Sequence, residues 1–166
     1  MLVNQYEAVL AALNFAIDRC PAELWDAPAG ASPFCQVVFH ALFFADVYLG
    51  PDEDSLRQQG FHRDNAAFFG DYEELEERLP VQLYERAAIK RYLQHCRAKS
   101  AATLAAESAA ILSGPSGFAR RSFTRAELHI YNIRHLQDHA AQLGMDLGAQ
   151  IGLEMPWFGS GWREVA

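Results

Sequence analysis

Between Ser32-Pro33 and Gly50-Pro51 the chain is apolar around nearly its whole helical circumference. Phe34, Val37, Val38, Phe39, Ala41, Leu42, Phe43, Phe44, Val47 and Leu49 point in all directions when projected at about 100° per residue. A helix of this kind cannot lie on a surface, so the rest of the chain must supply elements that enclose it. Ser32 reads as its N-cap and Pro33 as its first helical residue, where a fixed φ and a missing N–H are harmless. Gly50-Pro51 reads as its end.

The enclosing elements also read as helices. From Leu2 to Asp18, the residues Leu2, Tyr6, Val9, Leu10, Leu13 and Ile17 share one narrow arc, the core-facing stripe of a surface helix. Phe15 lies on the opposite side, either as a lone exposed apolar residue or as part of a second contact such as a dimer interface. A third helix runs from about Glu85 to Leu112, before Gly114-Pro115, with Ile89, Leu93, Cys96, Leu104 and Ile111 facing inward. A fourth opens at Thr124, with Glu127 in capping-box spacing, and ends near Gly148. Residues 149–166 carry Pro156, Trp157, Phe158 and Trp162 and read as an irregular tail against the helices.

The fold class is therefore all-α: an up-down-type four-helix bundle with a long connection between helices 2 and 3, in one domain over residues 1–166. That connection, from Pro51 to about Tyr84, exceeds the length at which loops acquire short helices or functions of their own. A short helix over Asp71 to Arg78 is expected. The acidic run Asp71, Glu73, Glu74, Glu76 and Glu77 lacks the alternating spacing of a calcium loop and reads as a solvated face.

With 14 Lys+Arg against 21 Asp+Glu, the net charge of -7 disfavours nucleic acid, whose binding depends on basic residues neutralising phosphates. The three cysteines, Cys20, Cys35 and Cys96, are widely spaced, form no Cys-x-x-Cys pair and read as reduced core residues of a cytoplasmic protein. No basic and apolar leader opens the chain, and no run approaches about 18 uncharged apolar residues. Neither export nor a membrane is expected.

The chemistry on offer is histidine chemistry. His135 and His139 are four apart on the fourth helix, so they differ by about 40° around the axis and about 6 Å along it, and one ion is within reach of both. They border the apolar stripe of Leu136, Ala140 and Leu143, at the rim of a bundle. His129 projects into the middle of that stripe and is excluded as a co-ligand. His40 interrupts the apolar second helix. Taken alone, it reads better as a core histidine bonded to a carbonyl or a tyrosine than as a ligand, and the isolated pair fares little better. His62, in the connection, is expected at the surface, with an approach to the site from a lid as the alternative, and His95 lies on the third helix. There is no His-Glu-x-x-His and no Glu-x-x-His, which disfavours zincin proteases and ferritin-like di-iron bundles.

Two stretches change the weighing: Gln36-Val-Val-Phe-His40-Ala-Leu-Phe-Phe-Ala-Asp46-Val-Tyr-Leu49, and Ile130-Tyr-Asn-Ile-Arg-His135-Leu-Gln-Asp-His139-Ala-Ala-Gln-Leu143. Together with Tyr84 to Lys99 they resemble the DinB-like (DinB/YfiT) superfamily of metal-binding four-helix bundles. The resemblance implies that His40, His135 and His139 bind a divalent metal, zinc or nickel above all, with iron or manganese also compatible. Asp138 departs from the family pattern and projects outward. The implied function is a metal-dependent enzyme, a thiol-dependent transferase or hydrolase acting on a small molecule, with a small thiol as a candidate partner. The alternative is a homodimeric stress-related binding module in which the metal is structural or absent. Gln36, Tyr131 and Asn132 share the ligand faces and are the candidates for supporting the ligands. A DNA-damage role has no support in the acidic charge.

Overall fold

The computed structural model describes residues 1–76, 81–120 and 122–165. Four long helices dominate it: α1 (Leu2–Arg19), α2 (Phe34–Leu49), α3 (Arg86–Ala106) and α4 (Arg125–Ile151). α1 and α2 each pack against both α3 and α4. Tyr6, Leu13, Phe34, Leu42, Tyr92, Leu93, Leu136 and Leu143 are withdrawn from solvent in the shared core. Each large apolar side chain so buried contributes about 1.5–3 kcal/mol. α2 is buried on nearly every side, as its apolar circumference requires.

α2 begins differently from its expected start. Ser32 pairs with Ala29 and Pro33 with Pro28 in a two-residue antiparallel hairpin turning at Gly30, whose φ is +84°. Pro33, extended at ψ 147°, takes the N-cap position, and the helix starts at Phe34. Ser32 is therefore no cap. The hairpin is fixed by the Phe34 N–H donating to the Ala27 carbonyl (2.9 Å).

The other end of α2 is closed from α4. Arg125, 4% exposed, donates to the carbonyls of Tyr48 (3.0 Å), Leu49 (3.2 Å) and Gly50 (2.9 Å), the orphan acceptors of a helix C-terminus. Its Nε also donates to Glu107 (2.7 Å). Glu107 accepts from His129 Nε2 (2.7 Å), and His129 Nδ1 accepts from the Tyr6 hydroxyl (3.0 Å). His129 is thus a core histidine, fully committed away from the other ring pair on α4.

Glu107 also explains why α3 stops short of Leu112. Its side chain is drawn to Arg125 and His129, the backbone turns extended, and Ser108 caps a separate turn, Ala109–Ser113. Ile111, expected inward, lies on that turn and is 49% exposed. α4 opens on the Thr124/Glu127 capping box. It runs past the expected end at Gly148 to Ile151, and Gly152 terminates it in the left-handed conformation (φ +70°) that glycine tolerates.

Beyond Gly152 the tail folds back across the helices. Phe158 packs on Phe15 (6.0 Å), the Arg97 guanidinium lies over Trp162 (4.0 Å), and the Gly161 N–H donates to the Asn4 carbonyl (2.9 Å). Phe15 is consequently buried beneath the chain's own tail, in place of an exposed position.

The connection folds as short turns at Leu56–Gln58, Gly60–Asp64, Ala66–Phe69 and Glu73–Glu76. The expected helix from Asp71 is a single 3-10 turn, and its last two positions, 77 and 78, lie outside the described residues. Phe68 and Phe69 pack on Phe39 and Tyr92, and Tyr84 stacks on Phe39 (4.0 Å), tying the connection to α2 and α3. Among the described residues, no helix is long and apolar enough to cross a membrane.

Candidate metal centre

α2 and α4 carry His40, His135 and His139 to one point. His135 Nε2 lies 3.4 Å from His40 Nε2 and 3.2 Å from His139 Nε2. The outer nitrogens of two rings are engaged. His40 donates from Nδ1 to Glu74 Oε2 (2.9 Å). His139 donates from Nδ1 to Gln142 Oε1 (3.1 Å), and Gln142 Nε2 donates in turn to the Ala29 carbonyl (3.1 Å), which fixes the orientation of the amide. A neutral imidazole with its proton on Nδ1 carries a lone pair on Nε2. The lone pairs of His40 and His139 therefore both face His135, and one imidazole proton satisfies only one of them. Burial depresses the pKa of His139, outweighing the hydrogen bond to Gln142.

Converging lone pairs are the donor set a divalent cation requires. A metal–nitrogen bond of about 2.0–2.1 Å at tetrahedral angles separates ligand nitrogens by about 3.3–3.4 Å, close to the observed spacings. The residues fit a metal. Glu74 behind His40 completes the carboxylate–histidine arrangement that fixes the tautomer and raises ligand basicity. Its side chain is only 9% exposed. The reading of the acidic run as a solvated face fails at this residue.

The centre borders solvent. The His40 side chain is 35% exposed. A cavity of about 180 Å³ beside it is lined by Ser32, Gln36, Val37, His40, Glu74 and His139. On the far side, Tyr131, Arg134, His135 and Asp138 line a wider groove.

The candidates for supporting roles separate. Gln36 lines the cavity, and its Nε2 donates to the Gln82 carbonyl (2.9 Å). Tyr131 packs edge-on against Tyr48 (5.5 Å) and lines the outer groove with His135. Asn132 turns into the core and donates to the Ala45 carbonyl (3.1 Å), which ties α4 to α2. Glu74 and Gln142, which do touch the rings of His40 and His139, carry no local sequence signal.

A second cluster lies deeper. Asp46, His62 and His95 bring ligand-type atoms within 4.8 Å of one another. His62 is 1% exposed, contrary to the expectation that it lies at the surface; its Nε2 donates to Asp46 Oδ2 (2.7 Å). The Tyr92 hydroxyl donates to the same oxygen (3.0 Å), and Lys99 pairs with Asp46 Oδ1 and with its carbonyl (2.7 Å). Burial works to raise the Asp46 pKa. The bonds from His62 and His95 and the Lys99 ammonium outweigh it, holding the carboxyl well below the usual carboxylate range. With an ammonium already bound, this cluster is an ion-pair network. All three cysteines are buried, and burial pushes the Cys20 and Cys35 thiols up to about 11 and raises Cys96 well above its ordinary value.

The family model of the DinB superfamily matches residues 5–143, from the first turn of α1 through the three histidines. The chain belongs to the DinB superfamily. No curated protein and no solved structure matches it. The match takes in Glu74 and Gln142 as well as His40, His135 and His139, so this DinB superfamily chain carries the whole centre within its family region.

Proposed function

We propose that this protein is a divalent-metal-dependent enzyme centred on His40, His135 and His139, acting as a thiol-dependent transferase or a hydrolase on a small molecule. The observation that carries the reading is the convergence of three Nε2 atoms while Glu74 and Gln142 hold the outer nitrogens of His40 and His139. Imidazole donors suit zinc or nickel, with iron or manganese as further occupants.

A divalent metal held by His40, His135 and His139 would supply Lewis acidity and make a nucleophile available near neutral pH. The protein's own residues do the rest. Glu74 takes up the positive character that His40 acquires as a ligand, and Gln142 keeps the His139 ring in register. The wall of Ser32, Gln36 and Val37 bounds the space where a substrate sits. Because all three of the chain's thiols are buried, a reacting thiol must arrive from outside, as a small thiol co-substrate.

A stress-related binding module with a structural metal would call for a centre closed by protein. The exposure of His40 and the adjoining cavity favour the enzyme. We further read the four long helices as an up-down-type bundle. We read the assembly as a cytoplasmic homodimer, a reading supported by the exposed Ile130 and Met145 on α4. Its net charge of -7 argues against nucleic-acid partners.

The test is tag-free purification followed by metal analysis of the wild type and of His135→Ala. One divalent ion per wild-type chain, lost in the variant, is expected. Equal metal content in both overturns the assignment.

A further inference from the structure

We infer that Tyr72, anchored through His62 and Asp46, is a positioning residue for the metal centre: it sets the turn that delivers Glu74 to His40. The inference rests on the reading of the three histidines as metal ligands.

Among the described residues, Tyr72 is the one non-glycine residue with positive φ, at +63°. A bulky aromatic residue avoids that region, so the surroundings must hold it there. They do so from several sides. The Tyr72 ring stacks on Phe69 (5.8 Å, 11°), and the Arg57 guanidinium covers it (4.6 Å). Its hydroxyl lies 3.1 Å from His62 Nδ1. The direction of that bond follows from the next one. In the neutral ring the Nε2 proton goes to Asp46 (2.7 Å), Nδ1 is the acceptor and Tyr72 the donor. Lys99 balances the Asp46 charge at the far end.

The reversal at Tyr72 opens the Glu73–Glu76 turn, with the Leu75 N–H donating to the Tyr72 carbonyl (2.9 Å). Glu74 sits two residues past the anchor and reaches His40. The connection is thus stapled to α2 by two carboxylate–imidazole pairs of opposite polarity. α2 offers the carboxylate to His62 and the imidazole to Glu74. The buried pair supports Tyr72, and Tyr72 aims the outer one. Without its hydroxyl the strained turn relaxes, and Glu74 withdraws from His40.

The experiment measures zinc affinity at neutral pH by competition with a chromophoric chelator. The proteins are the wild type, Tyr72→Phe, Glu74→Ala and the double variant. Tyr72→Phe keeps the ring and its stacking, and melting of the chelator-treated proteins verifies that each is folded. Glu74→Ala is expected to weaken zinc binding by about tenfold or more, and Tyr72→Phe by about three- to tenfold. The double variant is expected to bind no more weakly than Glu74→Ala alone, because Tyr72 acts through Glu74. A purely structural role moves melting without this non-additivity. Wild-type affinity in Tyr72→Phe, or losses that simply add, overturns the positioning role and leaves the metal centre standing. A wild type that binds no zinc overturns both.

Discussion

Glu74 Oε2 accepts a hydrogen bond from His40 Nδ1 at 2.9 Å across 34 residues of sequence. The contact converts a glutamate of an irregular segment into a partner of the candidate metal centre. Replacing it with alanine removes the acceptor that keeps the His40 proton on Nδ1. Zinc affinity is expected to fall about 10–100-fold. Glu74→Gln, which retains a neutral acceptor, should lie between wild type and alanine in the same chelator competition.

Metal binding should appear as stability. A ligand that binds only the folded state stabilises it by about 2.7 kcal/mol at a hundredfold excess over Kd. Zinc is expected to raise the melting temperature of the wild type and leave that of His135→Ala unmoved, as read by differential scanning calorimetry before and after chelation.

The metal-free protein should lose stability as pH falls from neutrality. Burial, the largest cause in each case, depresses the pKa values of His129 and His139 below the ordinary 6.5. The unfolded chain therefore takes up protons first. Stability is steady above about 6.5 and declines from there toward the lower folded values. Asp46, held below its ordinary 3.8, adds stability that is present above that value and is lost in more acidic solution. Urea denaturation at a series of pH values in chelator checks both windows.

Arg125 closes α2 and satisfies Glu107 at once. Arg125→Met removes the guanidinium from Glu107 Oε1, leaving that carboxylate only its His129 contact, and strips three carbonyls of their donor. A loss of about 3–5 kcal/mol is expected in denaturant unfolding.

At Gly117 the backbone has φ +89°, and a Cβ would come within 1.9 Å of the Pro51 carbonyl oxygen. Gly117→Ala combines a backbone cost on the order of 1–3 kcal/mol with that collision. A visible drop in melting temperature is expected, whereas Gly60→Ala, where a Cβ meets nothing within 4 Å, should be mild.

The legibility of these features in the sequence follows from how far their causes reach along the chain. The apolar circumference of α2 and the Thr124/Glu127 box are causes within a few residues, and both read correctly. The Ser32-Pro33 start misled because a hairpin pairing, set by Ala29 and Pro28, competes with the helical cap. The end of α3 misled because Glu107 answers to Arg125 and His129, 18 and 22 residues away. His40 meets His135 across 95 residues, an approach that spacing alone did not predict and only the family resemblance implied. His62 and Glu74 lie in the connection, which has no periodicity to project, so their partners on α2 become visible only once the chain is folded.

The tail that crosses α1 has a consequence for handling the protein. Cutting the chain after Ile151 strips Phe158 from Phe15 and Trp162 from Arg97, and bares a greasy stripe along the first helix. A shortened version, though it keeps every histidine, will clump and precipitate on concentration while the full-length chain stays clear.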